Sequence, residues 1–272
     1  MHSDCFFRIG NSHKICQDYA YTYCGHPRTP DDEVGLAIIS DGCSGSPMTD
    51  IGARALALYI GSYGVDNNIR PEELSRVAKN TLLTLTSNFP RLPSECMDAT
   101  LLTLKASLRG SGIGQLEACA YGDGVITLGM KSGEIRVVEL IYENSYPYYV
   151  VYEFDKSRLA YVPDGWELCV YDYLISESGQ VSGETISFME PGSYYVDLSE
   201  GNYDWAAVAS DGLASFLRSG GRVPVHEVVA KLFKFKSMTG EFLQRRFQGF
   251  EREYRELGWN HYDDLSIAAV IL

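Results

Sequence analysis

Residues 34–42 read VGLAIISDG, a run of apolar and small side chains stopped by Asp41-Gly42. A short continuous apolar run that ends on turn residues predicts a strand buried on both faces. The pattern returns twice further along the chain. Residues 205–210 (WAAVAS) run into Asp211-Gly212, and the acidic pair Asp263-Asp264 leads into 265–272 (LSIAAVIL). Another carboxylate, Asp18, falls in the second of the strand regions that precede Asp41. Neighbouring strands would bring Asp18, Asp41, Asp211 and Asp263 to one edge. Carboxylates gathered without bases repel one another, and a divalent cation that prefers oxygen ligands relieves the repulsion. The glycines after Asp41 and Asp211 would let a main-chain carbonyl approach such an ion. Asp-Gly is also ordinary turn chemistry, so each site alone stays open between ligand and turn. The ordered set favours the ligand reading.

The rest of the chain fills in around these strands. Helices are expected over 48–63, with Ile51, Ala55, Leu58 and Tyr59 inward, and from Pro71, with Leu74, Val77, Ala78, Thr81, Leu82 and Leu85 on one face. Between 99 and 140 the period drops to two. GSGIG (110–114), GDG (122–124) and KSG (131–133) punctuate an antiparallel meander there. The Tyr-rich stretch 142–180 is read as loops or a flap. Two more helices follow near 224–235 and 240–257, the latter with Leu243, Phe247, Phe250, Tyr254 and Leu257 on its core face. No repeat or linker interrupts the chain, which predicts one domain over 1–272.

The ordered segments resemble the metal-dependent protein phosphatases of type 2C, in their compact bacterial form. CQDYA (16–20), AIISDGCSGSPMTDIGARALA (37–57), ATLLTL (99–104), YGDGVITL (121–128), VASDGLASF (208–216) and DDLSIAAVIL (263–272) occur in the family's order. The resemblance implies an α+β fold of two packed antiparallel β-sheets flanked by helix pairs, a four-layer α-β-β-α sandwich. It implies two Mn²⁺ or Mg²⁺ ions, with a third as an option, and hydrolysis of phosphoserine or phosphothreonine esters by a metal-bridged hydroxide. Carried onto this chain, Asp41 bridges both ions and the Gly42 carbonyl holds one. Asp211 and Asp263 hold the other, and Asp18 acts through water. Asp123 serves the optional third ion, or is a plain hairpin residue. Three positions depart from the family. Gln17 stands where Glu is usual, Cys43 where His is common, and His13 where a phosphate-binding Arg lies. His13 could donate one charged hydrogen bond or a proton to the leaving oxygen, or simply end the loop 10–13.

Composition sets the competing readings. With 23 basic against 36 acidic residues the net charge is −13, which argues against nucleic acid or an anionic membrane as partner. No apolar run is long enough for a membrane span and no signal peptide is evident, so a cytoplasmic protein is expected. Its partners would be a phosphorylated protein and the kinase that marks it. The seven cysteines have no C-x-x-C pair and are expected as reduced, mostly buried thiols. GSGIG lacks a following helix and reads as a turn rather than a dinucleotide loop. His226 is expected on or under a helix, and His261 in a solvated loop. Two alternatives to a phosphoprotein phosphatase stand: a catalytically weak or inactive module of the same fold that binds a partner, and a phosphatase for a small phosphorylated metabolite.

Overall fold

The computed structural model describes residues 1–26, 32–109, 112–143, 146–161 and 166–272. At its centre β11 (Tyr203–Ala209) pairs antiparallel with β15 (Leu265–Ile271). Alternate residues on each strand enter different cores. Trp205, Ala207, Ala209, Leu265, Ile267 and Ala269 face one apolar cluster, and Ala206, Val208, Ala268 and Val270 face another. A strand covered on both sides favours apolar residues at nearly every position, which is why these segments read as continuous rather than alternating apolar runs, with Ser266 the buried exception on β15.

Around that pair the chain lays down two antiparallel sheets. The first strands are β1 (His2–Arg8), β2 (Asp18–Gly25) and β3 (Asp32–Asp41). The meander supplies β4 (Leu101–Arg109), β5 (Gly112–Tyr121), β6 (Gly124–Met130) and β7 (Ile135–Tyr142). β8 (Leu168–Ile175), β9 (Val181–Met189) and β10 (Ser193–Asp197) follow. One sheet runs β1-β15-β11-β6-β7-β8-β9 and the other β10-β5-β4-β3-β2. Helices α1 (Thr49–Gly64) and α2 (Pro71–Asn88) cover the five-stranded sheet. Helices α3 (Val225–Leu232) and α4 (Phe242–Glu256) cover the outer face of the seven-stranded sheet. The expected four-layer α-β-β-α order is therefore present. A small third sheet, β13 (Gly221–Arg222), β12 (Phe216–Arg218) and β14 (Asn260–His261), sits beside α3. Among the described residues no helix is long and apolar enough to cross a membrane.

Several expectations are corrected. Helix α1 packs through Gly52, Ala53, Leu56, Ala57, Ile60 and Gly61, while Ile51, Leu58 and Tyr59 are 39–44% exposed. Its buried face is the one with small residues, because the helix lies close to its neighbours: a Cβ on Gly52 would meet the Cys96 carbonyl oxygen at 1.7 Å. The flap is shorter than 142–180, since β8 belongs to the sheet. What remains between β7 and β8 carries short 3-10 turns and an aromatic cluster of Tyr148, Tyr149, Tyr152 and Trp166. His261 is buried against the Phe216 ring instead of solvated. Leu257 lies past the end of α4 and is exposed. The cysteines are free, but Cys96, Cys119 and Cys169 alone are fully buried. Of the GSGIG turn, Gly110 and Ser111 lie outside the described residues. The strands on either side pair with Arg109 opposite Gly112.

Replacing Gly52 by Ala should be destabilising although it favours the helix by about 1 kcal/mol. The new Cβ meets backbone, so α1 or the 3-10 turn Ser94–Met97 must move, at a cost of about 1–3 kcal/mol beyond that gain. Gly192→Ala adds a methyl to open space and should stay within about 0.5 kcal/mol of wild type. Urea denaturation of the two variants measures the difference.

Candidate metal centre

Antiparallel pairing of β2 with β3 sets Asp18 directly opposite Asp41, at the end where both strands leave the sheet. Asp41 is fixed by its backbone. Its N–H donates to Thr100 Oγ1 (3.1 Å) and its carbonyl accepts from the Thr100 N–H (2.8 Å). Asp18 is buried, and its Oδ2 accepts a hydrogen bond from the Ser210 hydroxyl at 2.7 Å. Ser210 Oγ in turn accepts the Ser266 N–H at 3.0 Å, so one serine links Asp18 to β15 from the end of β11. Asp123 sits at the β5–β6 turn between Gly122 and Gly124, whose φ angles of 97° and 145° are closed to most side chains. Asp211 opens a 3-10 turn after β11. A Cβ on Gly212 would fall 2.0 Å from the Asp264 carbonyl oxygen. The glycine after Asp211 thus lets two turns touch, a more immediate demand than freeing a carbonyl for an ion.

These turns surround a cleft of about 330 Å³ lined by Asp41, Gly42, Asp123, Asp211, Asp263, His13 and Cys43. Neither Asp18, which is buried, nor Gln17 lines it. Burial pushes the Asp41 carboxyl well above its ordinary range, and Asp18, Asp211 and Asp123 push it further. Burial also raises Asp123, reinforced by Asp211 and Asp263. Asp211 is raised by burial and by Asp263, with Arg222 and His13 pulling the other way. Asp18 is raised by burial, against hydrogen bonds that favour its charged form. Oδ1 of Asp18 and Oδ1 of Asp211 are buried without a hydrogen-bond partner. Clustered carboxylates with unpaired oxygens fit a hard divalent cation. Among the described residues no three His, Cys, Asp or Glu side chains stand, as they are, in a group that could hold one. The donor types fit; the side chains are not drawn onto one point.

The three departures from the resembled pattern fall differently. Gln17 turns its amide away from the acids: Nε2 donates to Thr49 Oγ1 (2.6 Å) and to the Cys43 carbonyl (3.4 Å). A glutamate has no proton to give there, so Gln17 acts as a brace for the Gly42-Cys43 loop. Cys43 lies on the cleft wall beside Tyr149 of the flap. His13 does reach the cleft. Its Nε2 is 3.4 Å from Asp263 Oδ1, and its Nδ1 is 3.0 Å from Asp264 Oδ2 without hydrogen-bond alignment. Burial pulls the His13 imidazole down, but Asp264, Asp263 and Asp18 outweigh it and the net shift is upward.

Two residues of the site do not stand out in the sequence. Asp264 is buried, and its carboxylate accepts the N–H groups of Gly10 (2.8 Å) and Gln17 (2.6 Å), pinning both ends of the loop that carries His13. Alternation at the start of β15 is the available signal: of two adjacent acids, one must turn inward. The other is Arg222 on β13, exposed and, among the described residues, the one Arg or Lys that lines the cleft. Nothing local in GGRVP marks it.

The raised carboxylates fix the sign of a pH effect. The folded metal-free protein holds protons that the unfolded chain releases above about pH 4, so these groups cost stability as pH rises. His261 acts oppositely below about pH 6.5, because burial holds its pKa down to about 4. From about pH 6.5 to about pH 8 the carboxylates should dominate, and the EDTA-treated protein should melt progressively lower. Saturating Mn²⁺ should raise the midpoint by about 5–10 °C at the upper end and by less at the lower. Thermal unfolding across that range, with and without metal, reads both.

No family model matches the chain, and no curated protein matches it. Solved structures do. The chain aligns over 100% of its length with 98% of a variant of a bacterial serine phosphatase, at 12% identity and a TM-score of 0.57. It aligns over 100% of its length with 94% of serine/threonine phosphatase Stp1 from Staphylococcus aureus, at 11% identity and a TM-score of 0.52. Serine-threonine phosphatase 2C from Toxoplasma gondii is matched at 12% identity and a TM-score of 0.51, covering 99% of this chain and 94% of that one. At such identities the likeness is one of architecture: the chain has the fold of the type 2C serine/threonine phosphatases.

Proposed function

We propose that the chain is a metal-dependent phosphatase for phosphoserine and phosphothreonine proteins. The observation that carries this reading is the cleft, which Asp41, Asp123, Asp211 and Asp263 line together with Arg222 and which buried Asp18 adjoins through Asp41. Mn²⁺ or Mg²⁺ bound there would neutralise the acids and supply an activated water. Asp41, with the Gly42 carbonyl, and Asp211 with Asp263 would be the donors for two ions, by side-chain rotation on fixed backbones. Asp123 is the donor for a third. Asp18 orients the set from below through Ser210.

The substrate dianion enters a cleft rich in carboxylates and needs cations at its far side. Arg222 offers a guanidinium fork for two phosphate oxygens, the service that His13 cannot give. His13, which reaches the cleft and whose imidazole the neighbouring acids shift upward, stands to donate a proton to the departing serine or threonine oxygen. The partner in this reading is the phosphorylated protein, with the kinase that marks it upstream. A second reading, a binding module with little turnover, is favoured by the turned-away Gln17 amide and the undrawn ligands. Activity decides between them.

Asp41→Asn, Asp211→Asn and Asp263→Asn should each lower Mn²⁺-dependent hydrolysis of p-nitrophenyl phosphate by at least about 100-fold while leaving the circular dichroism spectrum intact. Near wild-type rates in all three would overturn the ligand assignment, and a wild-type protein inert with Mn²⁺ and Mg²⁺ would leave the binding module standing. Arg222→Ala should cost about 10- to 100-fold in kcat/KM on both phosphopeptide and p-nitrophenyl phosphate, with partial recovery in Arg222→Lys. His13→Ala should lower kcat on a phosphoserine peptide by about one to two orders of magnitude, and by less on p-nitrophenyl phosphate, whose leaving group needs no proton.

A further inference from the structure

One wall of the cleft continues onto open surface. Glu139 and Ile141, near the end of β7, line the cleft and project from the outer face of the seven-stranded sheet. Helices α3 and α4 cover the other half of that face, over Val137, Tyr173 and Ile175. Beyond Glu139 the cover stops. Register then extends the surface in two rows. Ile141 lies opposite Cys169 and Cys169 opposite Phe188, while Glu139 lies opposite Tyr171 and Tyr171 opposite Ile186. Directly opposed residues on antiparallel strands share a face, so Glu139, Ile141, Tyr171, Ile186 and Phe188 form one patch around the buried Cys169. Ile141, Ile186 and Phe188 are 44%, 51% and 64% exposed.

Among the described residues β9 is also an edge strand, paired only with β8, and each of its residues after Val181 is exposed. Native edges are usually blunted by a charge, a proline or a bulge that turns them away. Here the bulge lies between Asp172 and Leu174, at the far end from the cleft, and the stretch nearest the cleft keeps regular pairing with apolar Ile186 and Phe188. Glu139, Glu184 and Glu143 each act on Tyr171 as a negative charge. The same holds for Glu139, which feels Glu184, and for Cys169, which feels Glu143 and Glu167. The patch is therefore an apolar strip in a negative frame, joined to the cleft through Ile141.

We propose that this strip docks the segment flanking the phosphorylated residue of the protein substrate, and that the segment is extended and alternates apolar side chains with Lys or Arg. The proposal rests on the phosphatase reading for the identity of the occupant. The chemistry follows from the surface. Ile186 and Phe188 lie two positions apart on one strand face, matching the spacing of alternate side chains in an extended peptide. Glu139, Glu143 and Glu184 leave negative charge for basic residues between the apolar ones to meet. Phe188 lies two strand spacings beyond Ile141, about 10 Å, which an extended chain covers in about three residues. The docked residues thus begin about three to five positions from the phosphoserine. An acidic segment is repelled from the same place, which gives the site a preference as well as an affinity.

The test uses two phosphoserine peptides that differ only in the flank, one alternating Leu with Arg and the other Leu with Glu. Wild-type protein with Mn²⁺ should turn over the basic peptide with kcat/KM at least about tenfold higher, chiefly through KM. The double variant Ile186→Ser, Phe188→Ser changes exposed side chains on an edge and should keep the wild-type circular dichroism spectrum. It should lose about tenfold on the basic peptide and stay within about twofold on p-nitrophenyl phosphate. Glu184→Lys should narrow the gap between the two peptides. Equal losses of the double variant on peptide and p-nitrophenyl phosphate, or equal turnover of the two peptides by wild type, would overturn the proposal. So would a wild-type dimer that the double variant dissolves, because the strip would then be covered by a second copy. If the wild type hydrolyses nothing, the phosphatase reading fails by itself. Fluorescence anisotropy of the labelled basic peptide then reads docking directly, with tighter binding to wild type than to the double variant supporting the surface and equal binding overturning it.

Discussion

Asp18 and Asp41 face each other across paired strands with no base between them, and much of the cleft is arranged around that repulsion. Neither can retreat. Asp18 is held from below by Ser210, itself tied to β15, and the Asp41 backbone is locked on both sides by Thr100. Asp211 and Asp123 bring further like charge to the same place. A fold that fixes acids this firmly stores unfavourable electrostatic energy, which protons or cations can relieve. The fold tolerates the strain because the strands behind it are buried on both faces and supply a large apolar stabilisation.

The loop that bears His13 depends on the same region from the other side. Asp264 takes the N–H of Gly10 and of Gln17, and Gly10 packs so tightly on the Tyr262-Asp263 backbone that a Cβ there would sit 2.2 Å from it. Two neighbouring acids thus divide the work. Asp263 turns to the cleft, and Asp264 turns inward to hold the loop. Removing the inward carboxylate would disturb His13, Gln17 and Asp18 together, since Gln17 joins the loop to the strand that starts at Asp18.

Runs such as VGLAIIS and LSIAAVIL announce their strands because two-sided burial leaves a pattern in one dimension. The single edge expected for the acids is corrected: Asp18 and Asp41 belong to the five-stranded sheet and Asp211 and Asp263 flank strands of the seven-stranded one, so the packing of sheet on sheet gathers them. Helix α1 is harder to read. Ile51, Leu58 and Tyr59 suggest one face, but Leu56 and Ile60 are buried on the other, where close packing also demands Gly52, Ala53, Ala57 and Gly61. Hydrophobicity alone does not choose between the two faces, and the small residues that seat the helix do. Arg222 is illegible for a different reason. It sits on a two-residue strand whose position depends on β12 and β14, so only tertiary assembly brings it to the cleft. The inward turn of Asp264 and the brace made by Gln17 are likewise properties of contacts far apart in sequence.

The tryptophans are distributed so that the layers can be told apart by light. Trp205 stacks on Phe233 with the rings 5.3 Å apart and 7° from parallel, and Trp259 packs near Phe216 and Phe250, so both lie under α3 and α4. Trp166 belongs to the flap, among Tyr142, Tyr148 and Tyr152. The chain's 3 tryptophans thus leave the α1–α2 layer without an indole. Indole emission therefore divides into a flap signal and an outer-helix signal, and replacing Trp166 by Phe would isolate the second without touching the carboxylates.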